Sequence, residues 1–105
     1  MDGNAYVVLM RVHLFFPESG SLKAKRAELN RVKALLRERL HTSCAEVGYQ
    51  DSWQRSTLAV AIAARSPALA QDTVDTVQRA LDGRFPQGVR IEYRRASWED
   101  LESLG

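Results

Sequence analysis

The sequence predicts an α+β sandwich, a four-stranded antiparallel sheet with two helices packed on one of its faces. Three observations carry that expectation. Apolar residues alternate at period two in the longer strand-like segments. Two intervening segments instead space their apolar residues at three and four positions, each behind a serine placed to cap a helix. The segments follow one another as strand, helix, strand, strand, helix, strand, which is the split βαβ order of ferredoxin-like folds.

Taken in order, Tyr6, Val8, Met10, Val12, Leu14 and Phe16 recur at every second position. Val7, Leu9, Arg11, His13 and Phe15 between them are mixed, so the first strand buries one face and leaves the other open. Pro17 ends its ladder, and Glu18-Ser19-Gly20-Ser21 is turn chemistry with Ser21 as the N-cap. Leu22, Leu29, Val32, Leu36 and Leu40 form one stripe, predicting an amphipathic helix from Leu22 to about Leu40, capped at its negative end by His41. Ser43 to Val47 suits a short strand; Ser56 to Ala64, where Leu58, Val60 and Ile62 alternate with Ala59, Ala61 and Ala63, suits a longer one. Ser66-Pro67 opens a second helix that Ala70, Val74, Val77 and Leu81 mark and Gly83 closes. Val89, Ile91 and Tyr93 alternate with Arg90, Glu92 and Arg94 in the last strand, and Ser97 to Leu101 adds one helical turn. Right-handed crossovers then give the strand order 4-1-3-2.

A chain of 105 residues, 45% hydrophobic and 27% charged, suits one domain spanning residues 1–105 with a core that needs no staples. Cys44 stands alone, and with only His13 and His41 beside it no zinc spacing exists, so neither a structural metal nor a cofactor is expected. The longest apolar run, Leu58 to Ala64, is far short of a membrane span, and Met1-Asp2-Gly3-Asn4 has no basic lead into a signal core; a cytoplasmic protein is expected. Nucleotide loops, hydrolase elbows and paired-carboxylate motifs are missing from the sequence, so a non-enzymatic protein is expected.

Three stretches stand out together: Pro17-Glu18-Ser19 with Ser21-Leu22-Lys23-Ala24-Lys25-Arg26, then Ala45-Glu46-Val47, then Gln50-Asp51-Ser52-Trp53-Gln54-Arg55 running into Thr57 to Ala61. In combination they make the chain resemble the YlxP-like family of small bacterial proteins of uncharacterised function. The resemblance extends from the first strand through the last and differs at Gly48-Tyr49, where a more polar pair is usual. It implies a ferredoxin-like fold, no established catalytic activity, and frequent encoding beside translation and ribosome-maturation factors.

Charge is segregated. Between Ser21 and His41 the cations Lys23, Lys25, Arg26, Arg31, Lys33, Arg37 and Arg39 face only Glu28 and Glu38, a net +5, whereas Ser66 to Asp82 carries a net −2. Lys23, Arg26, Lys33 and Arg37 fall on one flank of the first helix. Cations in a first turn oppose the helix macrodipole, so Lys23, Lys25 and Arg26 call for a compensating anion. A carboxylate such as Glu18, Glu28 or one at another strand end serves as well as a bound phosphate, and a basic flank is also what a solvated helix face looks like.

The open sheet face should present Arg11 and His13, then Ala59, Ala61 and Ala63, then Arg90, Glu92 and Arg94, joined by Trp53 and Arg55 if the third strand extends backward without a bulge. Basic residues with an aromatic suit nucleic acid, although the alanines exclude an RRM-type aromatic platform. Trp53 packed as a local plug, Asp51 and Arg55 as a turn pair, His13 as a hydrogen-bonded surface group and Cys44 as a buried thiol are the plainer assignments. Two functions follow. One is an RNA- or ribosome-associated protein that meets ribosomal RNA or a ribosomal subunit through Lys23, Lys25, Arg26, Lys33, Arg37, Trp53 and Arg55. The other is a homodimer or interaction module built on Arg11, His13, Ala59, Ala61 and Arg94 or on an edge strand. An anion site at Ser19, Ser21, Lys23, Lys25 and the 50–55 connection is a third possibility, because antiparallel pairing of strands one and three brings Pro17 to Lys23 beside Trp53 and Arg55.

Overall fold

The computed structural model describes residues 3–105; Met1-Asp2, part of the basis for the cytoplasmic expectation, lie outside the described residues. The elements are β1 (Tyr6–Phe15), α1 (Leu22–Ala34), β2 (Ser43–Gly48), β3 (Arg55–Ala64), α2 (Pro67–Arg84), β4 (Arg90–Ser97) and the short α3 (Trp98–Glu102). The sheet runs β2-β3-β1-β4 with every neighbour antiparallel, the predicted 4-1-3-2 order of a ferredoxin-like α+β fold. Among the described residues no helix is long and apolar enough to cross a membrane.

The period-two pattern of β1 explains its central place. Val8, Met10, Val12 and Leu14 point to the helices and are buried with Leu58, Val60 and Ile62 of β3. Leu29, Val32 and Leu36 from the first helix and Ala70, Val74, Val77 and Leu81 from α2 complete the core. Phe16 and Phe85 meet edge-on at 5.6 Å between ring centroids and close its end. Each helix starts as its serine dictates: Ser21 accepts from the Ala24 amide at 3.0 Å, Ser66 from Leu69 at 3.2 Å ahead of Pro67, and Ser97 forms a capping box with Asp100.

Two helix ends differ from expectation. The first helix does not stay α-helical to Leu40; Leu35–Arg39 form a π-helical turn in which the Leu40 amide reaches back to the Leu35 carbonyl at 3.1 Å. It closes through backbone rather than through the His41 side chain, because His41 takes a left-handed φ of 56° and the amide and hydroxyl of Thr42 both donate to the Leu36 carbonyl, at 2.9 and 2.8 Å. Gly83 likewise lies within α2, which runs one residue further and ends as the Phe85 amide bonds the Leu81 carbonyl. Replacing His41 with glycine is expected to stabilise the protein by about 0.5–1 kcal/mol by relieving the left-handed strain. A lowered urea midpoint for that variant would show instead that the imidazole itself holds the helix end.

Candidate nucleic-acid interface

The two sequence motifs meet in one corner, as the antiparallel register requires. Phe15 pairs with Arg55, the Phe16 amide bonds the Gln54 carbonyl at 2.8 Å, and the Gln54 side chain donates to the Pro17 and Ser19 carbonyls at 3.1 and 3.4 Å. Inside this corner Lys25 is 1% exposed. Its Nζ lies 2.9 Å from Glu46 Oε2, 2.6 Å from the Tyr49 carbonyl and 3.5 Å from the Gln50 carbonyl. Lys25 is therefore not part of a solvent-facing anion site. A strand carboxylate neutralises it, which is the compensation its place in the first helical turn demands.

The Ser56 hydroxyl donates to the same Glu46 carboxylate at 2.7 Å. Burial pushes the Glu46 carboxyl up; the Ser56 and Lys25 hydrogen bonds, with the charges of Lys25 and Lys33, outweigh it and hold it below its ordinary value. Tyr49 stands at a left-handed φ of 60°, a conformation its side chain does not favour. The Lys25 bond to its carbonyl fixes that turn. Lys25 is thus a positioning residue for the connection that carries Tyr49, Trp53 and Arg55.

The rest of the basic helix flank is partly occupied. Lys23 and Arg26 are exposed, but Lys33 is half-buried and acts on Glu46, and Arg37 donates to the Cys44 carbonyl, covering the free edge of β2. Arg31 pairs with Glu28 at 2.7 Å. Trp53 is not a core plug: it is 57% exposed, and it sits before β3 rather than on the sheet, which begins at Arg55. Ser52, not Asp51, holds that turn, its hydroxyl accepting from the amides of Gln54 and Arg55 at 3.3 and 3.1 Å.

The open face presents the expected rows. His13 lies between Thr57 and Arg90, Arg11 between Ala59 and Glu92, and Leu9 between Ala61 and Arg94. Among the described residues four arginines (Arg11, Arg55, Arg90, Arg94) share this face with one acid, Glu92. At its corner three aromatics stand in solvent, Trp53 with Tyr49 at 53% and Phe15 at 43% exposure, and the Arg55 guanidinium lies 5.7 Å from the Tyr49 ring centroid. Glu92 gathers His13 Nε2 at 2.8 Å, Arg11 at 3.2 Å and Arg90 at 3.6 Å. The hydrogen bond from His13, with the charges of Arg11 and Arg90, holds its carboxyl below the ordinary range.

Sequence reasoning placed Arg90 and Phe15 on the open face but assigned neither Tyr49 nor Thr57 to a site. Thr57 was legible from the strand alternation, since it pairs with His13 on that face; Tyr49 was not, because its exposure depends on the buried Lys25 contact. Among the described residues no group of three or more histidine, cysteine or acidic side chains could hold a metal.

Fold and face together define a small ferredoxin-like domain with a cationic open sheet and an aromatic corner. The chain belongs to the family described as a protein of unknown function (DUF503), whose pattern matches residues 7–95. It is 32% identical over 81 residues to the uncharacterized protein YlxP of Bacillus subtilis (strain 168), covering 77% of this chain and 86% of that protein. A de novo designed protein, Foldit4, superposes with a TM-score of 0.55 at 13% identity over 88% of this chain and 96% of the designed one, a likeness of fold alone.

Proposed function

We propose that this protein binds single-stranded RNA, ribosomal RNA included, on the open sheet face and its aromatic corner. The observation that carries the proposal is four arginines against one glutamate on a face flanked by exposed Trp53, Tyr49 and Phe15. Guanidiniums meet phosphates while aromatic rings take unstacked bases, a combination that tolerates many sequences. The exposed Lys23 and Arg26 extend the positive surface round the corner onto α1. No catalytic step is part of this proposal.

A homodimer through the same face is the competing proposal, favoured by Leu9, 54% exposed beside the small Ala61. Apposing two such faces brings together two sets of four arginines with one acid each, which opposes self-association and favours a polyanion. Fluorescence anisotropy with a short single-stranded RNA tests the choice. Binding is expected to weaken steeply between about 50 and 200 mM salt, with a log–log slope of about −2 to −3 for three or four phosphates contacted. Absent or salt-insensitive binding overturns the proposal. A dimer at micromolar concentration that Ala61→Arg dissociates would support the competing one.

A further inference from the structure

The open face contains a cavity whose floor changes its hydrogen-bonding polarity with a single proton. It measures about 340 Å³ and is lined by His13, Phe15, Tyr49, Arg55, Thr57 and Arg90. Thr57 Oγ1, the His13 ring and Glu92 run in a line across β3, β1 and β4, with 3.2 Å from Oγ1 to Nδ1 and 2.8 Å from Nε2 to the carboxylate. An ionised carboxylate only accepts, so Nε2 carries a proton. In the neutral ring Nδ1 is then a bare acceptor, and the Thr57 hydroxyl donates its one proton to it. A second proton on the ring reverses this bond: Nδ1–H donates to Oγ1, and the hydroxyl proton is free to turn into the cavity. Gly48 leaves the Thr57 side chain uncrowded, since a Cβ there would lie 3.1 Å from Thr57 Cβ and 3.3 Å from Oγ1.

We infer that this cavity is a proton-gated phosphate site, in which protonation of His13 turns the Thr57 hydroxyl into a donor for a phosphate group held by Arg55 and Arg90. The inference rests on the RNA-binding proposal and adds its regulation. The groups facing His13 are Glu92 and Arg90 from β4, Arg11 from its own strand, Arg55 from β3 and Tyr49 from the β2–β3 connection. Glu92 presents a negative charge to the ring and the arginines present positive ones. A phosphate between the arginines offsets their charge and favours the imidazolium further, so proton and phosphate bind with positive coupling. Affinity therefore rises when His13 takes up its second proton.

The test uses a short single strand with hydroxyl ends, whose diesters keep their charge, and sulfate as a small oxyanion, each at constant ionic strength. Between about pH 7.8 and about pH 5.8 the strand is expected to bind wild type about tenfold more tightly. His13→Gln and Thr57→Val are expected to lose that gain, each binding the strand with affinities that agree within about twofold at the two pH values, and His41→Gln to keep it. Sulfate should shift the Thr57 and His13 NMR resonances at the lower pH only. Should Thr57→Val fail to fold, His13→Gln alone decides. Equal strand affinity at both pH values, or a gain that survives in His13→Gln, overturns the gate and leaves the RNA proposal standing. Sulfate bound in the protonated cavity with no strand bound at either pH supports the gated site and overturns RNA as its ligand.

Discussion

Lys25→Met is expected to lower the unfolding free energy by about 3–5 kcal/mol, the usual loss when one partner of a buried ion pair is removed. Methionine keeps the length of the stem, so the loss comes from the charge and its hydrogen bonds rather than from a cavity. Glu46, with its side chain 16% exposed, is left with Ser56 as its hydrogen-bond partner and the more distant charge of Lys33, and the Tyr49 and Gln50 carbonyls lose their donor. Adding Glu46→Leu is expected to recover much of the loss, because two matched apolar groups cost less than one uncompensated carboxylate. The pH dependence has a definite sign. Glu46 titrates below its ordinary 4.5 in the folded protein, so its contribution is complete above that pH and is lost as pH falls through the lower folded value. Urea unfolding of wild type, Lys25→Met and the double variant at neutral and acid pH measures all three effects. A Lys25→Met stability within about 1 kcal/mol of wild type would show that the pair contributes little.

The same lysine marks the boundary of what the sequence made legible. Strand alternation placed the three longer strands and serine caps both long helices, because each of those signals is local: a period-two burial pattern or one hydroxyl bonded to one amide. Lys25 stands three residues after Leu22 and four before Leu29, inside the apolar stripe, so its burial was readable from position. Its charge argued the other way, and only the tertiary placement of Glu46 and of two loop carbonyls resolves the conflict. Trp53 is the converse. Its size argued for burial, yet Phe16 and Phe85 already close the core, and the Ser52 and Gln54 side chains tie the turn down by hydrogen bonds to the backbone that leave the indole outside. The π-helical turn had no signature at all, because Leu36 and Leu40 continue the stripe whether or not a residue is inserted into the hydrogen-bond ladder.

Reversing Arg55 and Arg90 together to glutamate is expected to weaken RNA binding by at least about a hundredfold at moderate salt. The magnitude of the salt slope should fall by about 1.4, or about 0.7 for each phosphate no longer neutralised. Both residues sit on the cavity rim at the aromatic corner, so reversal takes away two cations that meet phosphates and places two anions on the face that already carries Glu92. Folding should hardly change. The Arg90 side chain is 68% exposed and meets Glu92 at only 3.6 Å, a surface pair worth little, and Arg55 stacks on Tyr49 at the protein surface. Trp53→Ala on the same edge should cost a further ~1–3 kcal/mol of binding, about one base stack, without altering the salt slope. The contrast that locates the surface is Lys23→Glu with Arg26→Glu on α1. Those two cations lie round the corner from the sheet, so their reversal is expected to cost less than that of the sheet pair, whereas a helix-centred interface would reverse the ranking. Wild-type affinity in the Arg55→Glu, Arg90→Glu variant, with the fold intact by circular dichroism, would remove the open face from the function.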